Sequence, residues 1–239
     1  MAAHLALLRL WIETNESKKI MKVQAKLVAR TIPVNISAAT PEELIAYAAR
    51  VSNPSNQDNH DTSERLLRYC MKHKHWSVFE MANAVVEVKA PRDITRQLLR
   101  HRSFSFQEFS QRYSDEIDFT DRWFRRQDTK NRQNSIDDFN KKMLDYFKAK
   151  TALLQEHAQQ VYSEFRDLDV AKECTRAILP EGLTMSTLYV NGTLRSWLHY
   201  LDVRDDEGVT QLEHVILARE IRKVLRPAFP EIIGMKNET

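Results

Sequence analysis

Glycine is scarce: the 239-residue chain holds only Gly182, Gly192, Gly208 and Gly234. None of them forms a G-x-G-x-x-G or Walker-type loop, which excludes the glycine-rich strand-to-helix turn that usually cradles a dinucleotide or phosphate. Any phosphate bound here has to be held by side chains. Cysteine is as sparse, with Cys70 and Cys174 too few and too far apart for a disulfide framework or a four-cysteine zinc site. That usage fits a reducing compartment, and a cytosolic location is the simple expectation. No stretch approaches the roughly 20 apolar residues of a membrane span. No charge of one sign predominates either: 36 basic side chains face 33 acidic ones, for a net charge of +3, far from the field of a dedicated nucleic-acid coat.

An apolar fraction of 42% is enough to bury a core in one compact domain, or at most two small ones. The apolar stretch at residues 5–12 has neither a basic lead-in nor a small-residue cleavage site, so it does not read as a signal peptide. Met21 makes an equally good beginning, and residues 1–20 are expected to be an N-terminal extension.

Hydrophobic periodicity predicts the elements. Lys22 to Pro33 reads as a strand, followed by a helix that opens on the capping box Thr40-Pro41-Glu42-Glu43. Thr62 or Ser63 is expected to cap a second helix that ends near His75-Trp76. Asn83 to Lys89 alternates as a strand stopped by Pro91, and Arg92 to Leu99 forms a short helix with Arg92, Arg96 and Arg100 on one face. Arg125 to Gln133 reads as a polar loop. Ser135-Ile136-Asp137-Asp138 is expected to cap the longest helix, with Phe139, Met143, Tyr146, Phe147, Leu153, Leu154, Val161 and Phe165 as its buried stripe. Val170 to Leu179, the helix of Leu194, Trp197, Leu198 and Leu201, and Gln211 to Leu225 complete the pattern. Few strands and long helices without regular alternation predict an α+β fold rather than a doubly wound sheet.

The chemistry concentrates in Arg100-His101-Arg102-Ser103-Phe104-Ser105-Phe106-Gln107-Glu108-Phe109-Ser110-Gln111-Arg112. Arginine offers a rigid fork of donors that matches phosphate and stacks on flat rings. Three readings stay open on spacing alone: a solvated charged face, a site for phosphates and a planar ring, and a single-strand nucleic-acid surface, against which the near-neutral net charge counts. His73 and His75 would share a face in an extended segment, yet no Cys, Asp or Glu at ligand spacing accompanies them, so no metal is expected. Cys70 and Cys174 read as buried, inert thiols. Ser110 has no base in sequence reach, and a hydrolase triad is unsupported.

Arginine-histidine-arginine, seven residues, then serine resembles the signature of the flavin-dependent thymidylate synthases. Here it is Arg100-His101-Arg102 followed by Ser110, with Ser105, Glu108, Arg112 and Tyr113 also in register. The resemblance extends to His75-Trp76-Ser77-Val78-Phe79-Glu80, to Arg176-Ala177-Ile178-Leu179-Pro180, and to the segment from Leu194 to Arg204. It implies an α+β catalytic domain over residues 21–239, with a mostly antiparallel sheet flanked by long helices and no Rossmann unit. It implies conversion of dUMP to dTMP with methylenetetrahydrofolate as carbon donor, NADPH as reductant and FAD as cofactor, in a homotetramer whose active sites are shared. Residue by residue, it assigns FAD to His75, Ser77, Arg100, His101, Arg102, Glu108, Thr193, Arg195 and His199. It assigns dUMP to Gln97, Arg100, Glu108, Ser110, Gln111, Arg112, Arg176 and Arg204, with Arg204 as the catalytic group. Gln107 and Thr193 stand where the family commonly has asparagine, Met81 where it has histidine, and Gln111 where it has a small residue.

Overall fold

The computed structural model describes residues 22–234; the extension expected over residues 1–20 lies outside the described residues. The chain partitions into two compact units, one built from residues 22–23, 90–94 and 109–186, the other from 24–89, 95–108 and 187–234. Its strands are β1 (Gln24–Arg30), β2 (Asn83–Pro91), β3 (Ser105–Glu108), β4 (Arg126–Gln127), β5 (Ser135–Ile136) and β6 (Met185–Thr193). The helices are α1 (Pro41–Ala49), α2 (Ser63–Lys72), α3 (Arg92–Leu98), α4 (Lys141–Asp167), α5 (Lys172–Thr175), α6 (Leu194–Arg204), α7 (Leu212–Leu225) and α8 (Pro230–Ile233). The architecture is α+β, as expected.

The larger unit is organised on a four-stranded sheet in the order β1-β2-β6-β3. β1 pairs antiparallel with β2, with a register shift between Leu27 and Ala29, and β3 pairs antiparallel with β6. In β2 the period-2 alternation places Ala84, Val86 and Val88 at 0% exposure, because successive strand side chains point to opposite faces. α7 packs against β1 and α6 against α7. Trp197 and Tyr200 of α6 are fully buried, and Trp197 donates its indole N–H to Ala84 O at 3.2 Å, satisfying the polar end of a large apolar group. β6 was not anticipated: Ser186, Thr187, Asn191 and Gly192 dilute an alternation whose apolar members, Leu188 and Val190, are wholly buried.

Helix termini follow their local chemistry with two exceptions. The Thr40–Glu43 capping box forms in both directions. Thr62 occupies the N-cap of α2 without capping it; its hydroxyl instead accepts from Arg50 Nη2 at 2.8 Å, and Ser63 Oγ is buried without a hydrogen-bond partner among the described residues. Ser135 and Ile136 do not cap the longest helix, because they pair with β4. Asn140 is the cap of α4, accepting from Met143 N–H at 3.0 Å, while Asp137 and Asp138 are taken by Trp123 and Arg126. The expected polar loop therefore contributes the first strand of a short hairpin whose second strand follows it. The expected helix from Val170 to Leu179 is divided into α5 and a 3-10 turn over Arg176–Ile178.

α2 ends at Lys72 rather than near His75-Trp76. Its end is a Schellman-type turn in which His75 N–H reaches Cys70 O at 2.8 Å and Lys74 N–H reaches Met71 O at 3.1 Å, with Lys74 at φ 58°. The histidine pair thus sits on a helix stop, not on an extended segment. A left-handed backbone at a residue bearing a Cβ costs about 1 kcal/mol relative to glycine. Lys74→Gly should therefore raise stability by up to about 1 kcal/mol, read as a higher denaturation midpoint; a lower midpoint would show that the Lys74 side chain makes a larger favourable contribution.

In the other unit, the 27-residue α4 departs most from its expected burial. Met143 is 37%, Tyr146 54%, Leu153 58% and Leu154 50% exposed, whereas Ala158 and Tyr162 are the buried positions. The apolar residues do recur at helical spacing, but among the described residues no element lies over most of that face. Cys174 is also exposed, on the short α5, where only Thr175 is buried; Cys70 is buried as expected.

Candidate active site

The expected site residues fall into two sets, each held by one unit. In the larger unit, α3 stops at Leu98 and the chain turns, with Arg100 N–H on Gln97 O and His101 N–H on Leu98 O at 3.3 and 3.0 Å. This turn points Arg100 and Arg102 outward, exposed, and among the described residues neither meets a carboxylate. His101 turns inward: its ring lies edge-on to Tyr200 at 5.1 Å and its Nε2 accepts from Arg204 Nε at 2.9 Å.

That contact defines a protonation state. Burial, then the neighbouring Arg204 and His199, depress the His101 imidazole from 6.5 to about 4. The ring is therefore neutral near pH 7, with its proton on Nδ1 and a lone pair on Nε2 for the guanidinium. Arg204, at the C-terminal end of α6, has no acidic partner among the described residues, because Asp205 beside it pairs with Arg219 and Arg222 at 2.7 and 3.1 Å.

The remaining members are less uniform. Glu108 lies 3.9 Å from Arg96. Arg195 is ion-paired with Glu80. Thr193 is the N-cap of α6, its hydroxyl accepting from Ser196 N–H at 3.3 Å, so that oxygen is already engaged in local structure. His199, His75 and Ser77 are exposed, and His75 stands 5.8 Å from the Tyr69 ring. Phe104 is core, packed 4.4 Å from Trp197, rather than a stacking platform.

In the other unit, Ser110, Arg112 and Arg176 are brought together through a residue that sequence reasoning missed. Glu173 pairs with Arg112 at 3.4 Å, and its backbone oxygen accepts from Arg176 Nε at 3.4 Å. Ser110 Oγ accepts from Arg112 N–H at 3.3 Å. Gln111 is buried and accepts from Arg92 Nη1 at 2.7 Å. No sequence signal singled out Glu173, since an acid two residues before Thr175 carries no motif.

A cavity of about 510 Å³ in the larger unit is lined by Arg50, Asn53, Asn56, Arg65 and Tyr69 among others, and none of the expected site residues lines it. Among the described residues no three His, Cys, Asp or Glu side chains gather as a metal site.

The buried titrating groups set a pH dependence of stability. His214, wholly buried on α7, is depressed to about 3 by burial, Arg204 and His101. Below pH 6.5 both His101 and His214 take up protons in the unfolded chain but not in the folded one, so their contribution is complete above about pH 6.5 and is lost as pH falls toward 4. Glu42 has the opposite sign: burial pushes its carboxyl from 4.5 up to about 7, so its contribution is largest below pH 4.5 and fades as pH rises through 7. Two histidines outweigh one carboxyl, and stability should decline from pH 6.5 to 5. Glu42→Gln removes the opposing contribution, so its denaturation midpoint should fall more steeply than that of the parent over the same range; parallel curves would remove Glu42 from the balance.

Comparison with known proteins places these sets in one family. The family model Thy1, described as thymidylate synthase complementing protein, matches residues 35–231. A probable flavin-dependent thymidylate synthase of Paramecium bursaria Chlorella virus 1 is 45% identical over 211 residues, covering 88% of this chain and 97% of that protein. The flavin-dependent thymidylate synthase of Synechocystis is 47% identical over 193 residues, covering 81% and 88%. Among solved structures, a UMP/dUMP methylase of Streptomyces cacaoi bound with 5-Br dUMP superposes with a TM-score of 0.75 at 25% identity, over 89% of this chain and 93% of that one. The match runs through both units and through every expected site residue, and the chain belongs to the flavin-dependent thymidylate synthase family.

Proposed function

We propose that this protein reductively methylates dUMP to dTMP with a flavin cofactor, methylenetetrahydrofolate as carbon donor and NADPH as reductant. The contact between Arg204 and neutral His101 is the observation that carries the proposal. Reduction of a uracil ring builds negative charge on the pyrimidine, and a fixed guanidinium aimed at that charge stabilises it most where water is excluded. A carboxylate partner would orient Arg204 but cancel much of its field. A neutral imidazole accepting from Nε orients the fork and leaves its charge and its two terminal nitrogens for the substrate.

The donor set fits FAD. Arg100 and Arg102 present unneutralised guanidinium groups suited to a diphosphate, with His101, Glu108, Ser77, His75, Arg195 and His199 as further candidate ligands. Thr193 is the weakest of the set because its hydroxyl is engaged in the α6 cap. When bound, the flavin supplies hydride chemistry that no side chain can. The candidate dUMP ligands are Gln97, Arg100, Glu108 and Arg204 from the larger unit and Ser110, Gln111, Arg112 and Arg176 from the other. A protein thiolate is not required: Cys70 is buried, and burial raises its pKa. The exposed apolar face of α4 supports a homotetramer with shared active sites, since a monomer gains nothing by leaving such a stripe in water.

The decisive experiment is a dTMP-formation assay with dUMP, methylenetetrahydrofolate, NADPH and FAD, leaving out each in turn. Product that depends on all four is expected. Absence of flavin uptake by the purified protein, or oligonucleotide binding with a steep salt dependence in place of turnover, would reject the proposal.

A further inference from the structure

Behind Gln97 lies a hydrogen-bonded chain that the proposed reaction does not yet use. Tyr200 of α6 and His214 of α7 are both at 0% exposure, and Tyr200 Oη lies 3.1 Å from His214 Nε2. The other ring nitrogen, His214 Nδ1, lies 3.3 Å from Gln97 Oε1. Gln97 Nε2 in turn donates to Gln211 Oε1 at 2.7 Å. Three helices, α3, α6 and α7, are thus joined by side chains whose polar atoms have little recourse to water.

Such a chain has a direction. Gln97 turns its carbonyl oxygen to His214 Nδ1, which must therefore donate, so Nε2 is left to accept, and the Tyr200 hydroxyl, held protonated by burial, donates to it. The ring proton then lies on Nδ1 and goes to the Gln97 carbonyl. With its oxygen on His214 and one N–H on Gln211, the Gln97 carboxamide cannot turn over without breaking both contacts. Its second N–H meets no acceptor among the described residues, and Gln97 is only half-buried.

We propose that His214 is a positioning residue: it locks the Gln97 carboxamide so that an N–H, not a carbonyl, faces the nucleotide, which selects an acceptor oxygen on the ligand. The proposal rests on dUMP being the substrate and Gln97 one of its ligands. An isolated glutamine amide can present either end, and reversal costs little in water. Tying one end to the buried His214 and the other to the half-buried Gln211 turns an ambivalent side chain into a donor, and a donor discriminates against ligand groups that cannot accept.

Two measurements test this separately. Nitrogen-15 spectra of histidine-labelled protein, with the His214 signals assigned by their loss in His214→Leu, should show the proton on Nδ1 at neutral pH. A proton on Nε2 would reverse the chain and overturn the proposal, whatever the substrate proves to be. In turnover assays, His214→Leu should raise KM for dUMP by about five- to tenfold while leaving kcat within about twofold, the signature of lost uniform binding. His214→Asn, which can still offer an N–H near the Nδ1 position, should recover part of that loss. The double variant Gln97→Ala with His214→Leu should bind dUMP no worse than Gln97→Ala alone; additive effects would show that His214 does not act through Gln97. If His214→Leu does not fold, Tyr200→Phe serves in its place, and an unchanged dUMP KM there would count against the chain. Calorimetry on the parent protein tests the premise: no dUMP binding at all would reject the substrate assignment, whereas dUMP binding that Gln97→Ala weakens and His214→Leu does not would reject the role of His214 alone.

Discussion

Replacing Arg204 by alanine is expected to lower the rate of dTMP formation by a factor on the order of 10² to 10³, while fold and flavin content are retained. The magnitude is that of removing one preorganised donor from a site where charge develops. Arg204 is suited to that role by what does not bind it: Asp205, the adjacent acid, is committed to Arg219 and Arg222, and the partner at its Nε is an uncharged ring. Stability should change little, because no ion pair is broken and His101 stays neutral. Flavin absorbance, a thermal melt and single-turnover formation of dTMP would check the three parts separately. Turnover within about threefold of the parent would remove Arg204 from the catalytic role, since a change that small is no more than the loss of one ordinary hydrogen bond and far short of that expected for a preorganised charge. Arg204→Lys should rescue poorly, because an ammonium cannot supply Nε to His101 and two further nitrogens at once.

The second large effect is structural. Gly192→Ala should destabilise the protein by about 3 kcal/mol or prevent it from folding. A Cβ at this position would lie 2.2 and 2.4 Å from Cδ1 and Cε1 of Phe104. Phe104 cannot step aside, because Trp197 stands behind it at 4.4 Å and Tyr200 at 6.0 Å. The glycine is needed for close approach and not for an unusual backbone, since no described glycine has a positive φ. A shift of Phe104 would move the turn that carries Arg100, His101 and Arg102, so any Gly192→Ala protein that does fold should also bind flavin more weakly. Chemical denaturation measures the first effect and flavin titration the second. The pair Gly192→Ala with Phe104→Leu should regain part of the lost stability; a Gly192→Ala midpoint equal to that of the parent would show that β3 and β6 separate easily.

Much of the local structure was legible in advance. The Thr40–Glu43 capping box, the alternation of β2 and the amphipathic α6 depend on neighbours within a few residues, and each formed as expected. The failures share a cause. Ser135 resembles a helix cap in isolation, but pairing with β4 draws it away. The stripe on α4 has the right period, yet periodicity records only that residues share a face and not whether another element covers it. Cys174 followed apolar neighbours in sequence but lies on a four-residue helix that buries one other position. β6 escaped because polar and small residues sit at several of its positions, and a strand within a sheet needs only its inward members to be apolar.

The sequence by itself determined the kinds of groups available: many arginines, no glycine loop, only two cysteines, and a motif specific enough to indicate the family. It could not determine which of those charges stay unneutralised. Arg195 and Arg204 lie on one helix, but Arg195 meets Glu80 from 115 positions away and Arg204 meets His101 from 103 positions away. One guanidinium is neutralised by a carboxylate and the other keeps its field. Electrostatic interaction follows distance in space and the local exclusion of water, and both are set only when the folded chain brings those distant positions together.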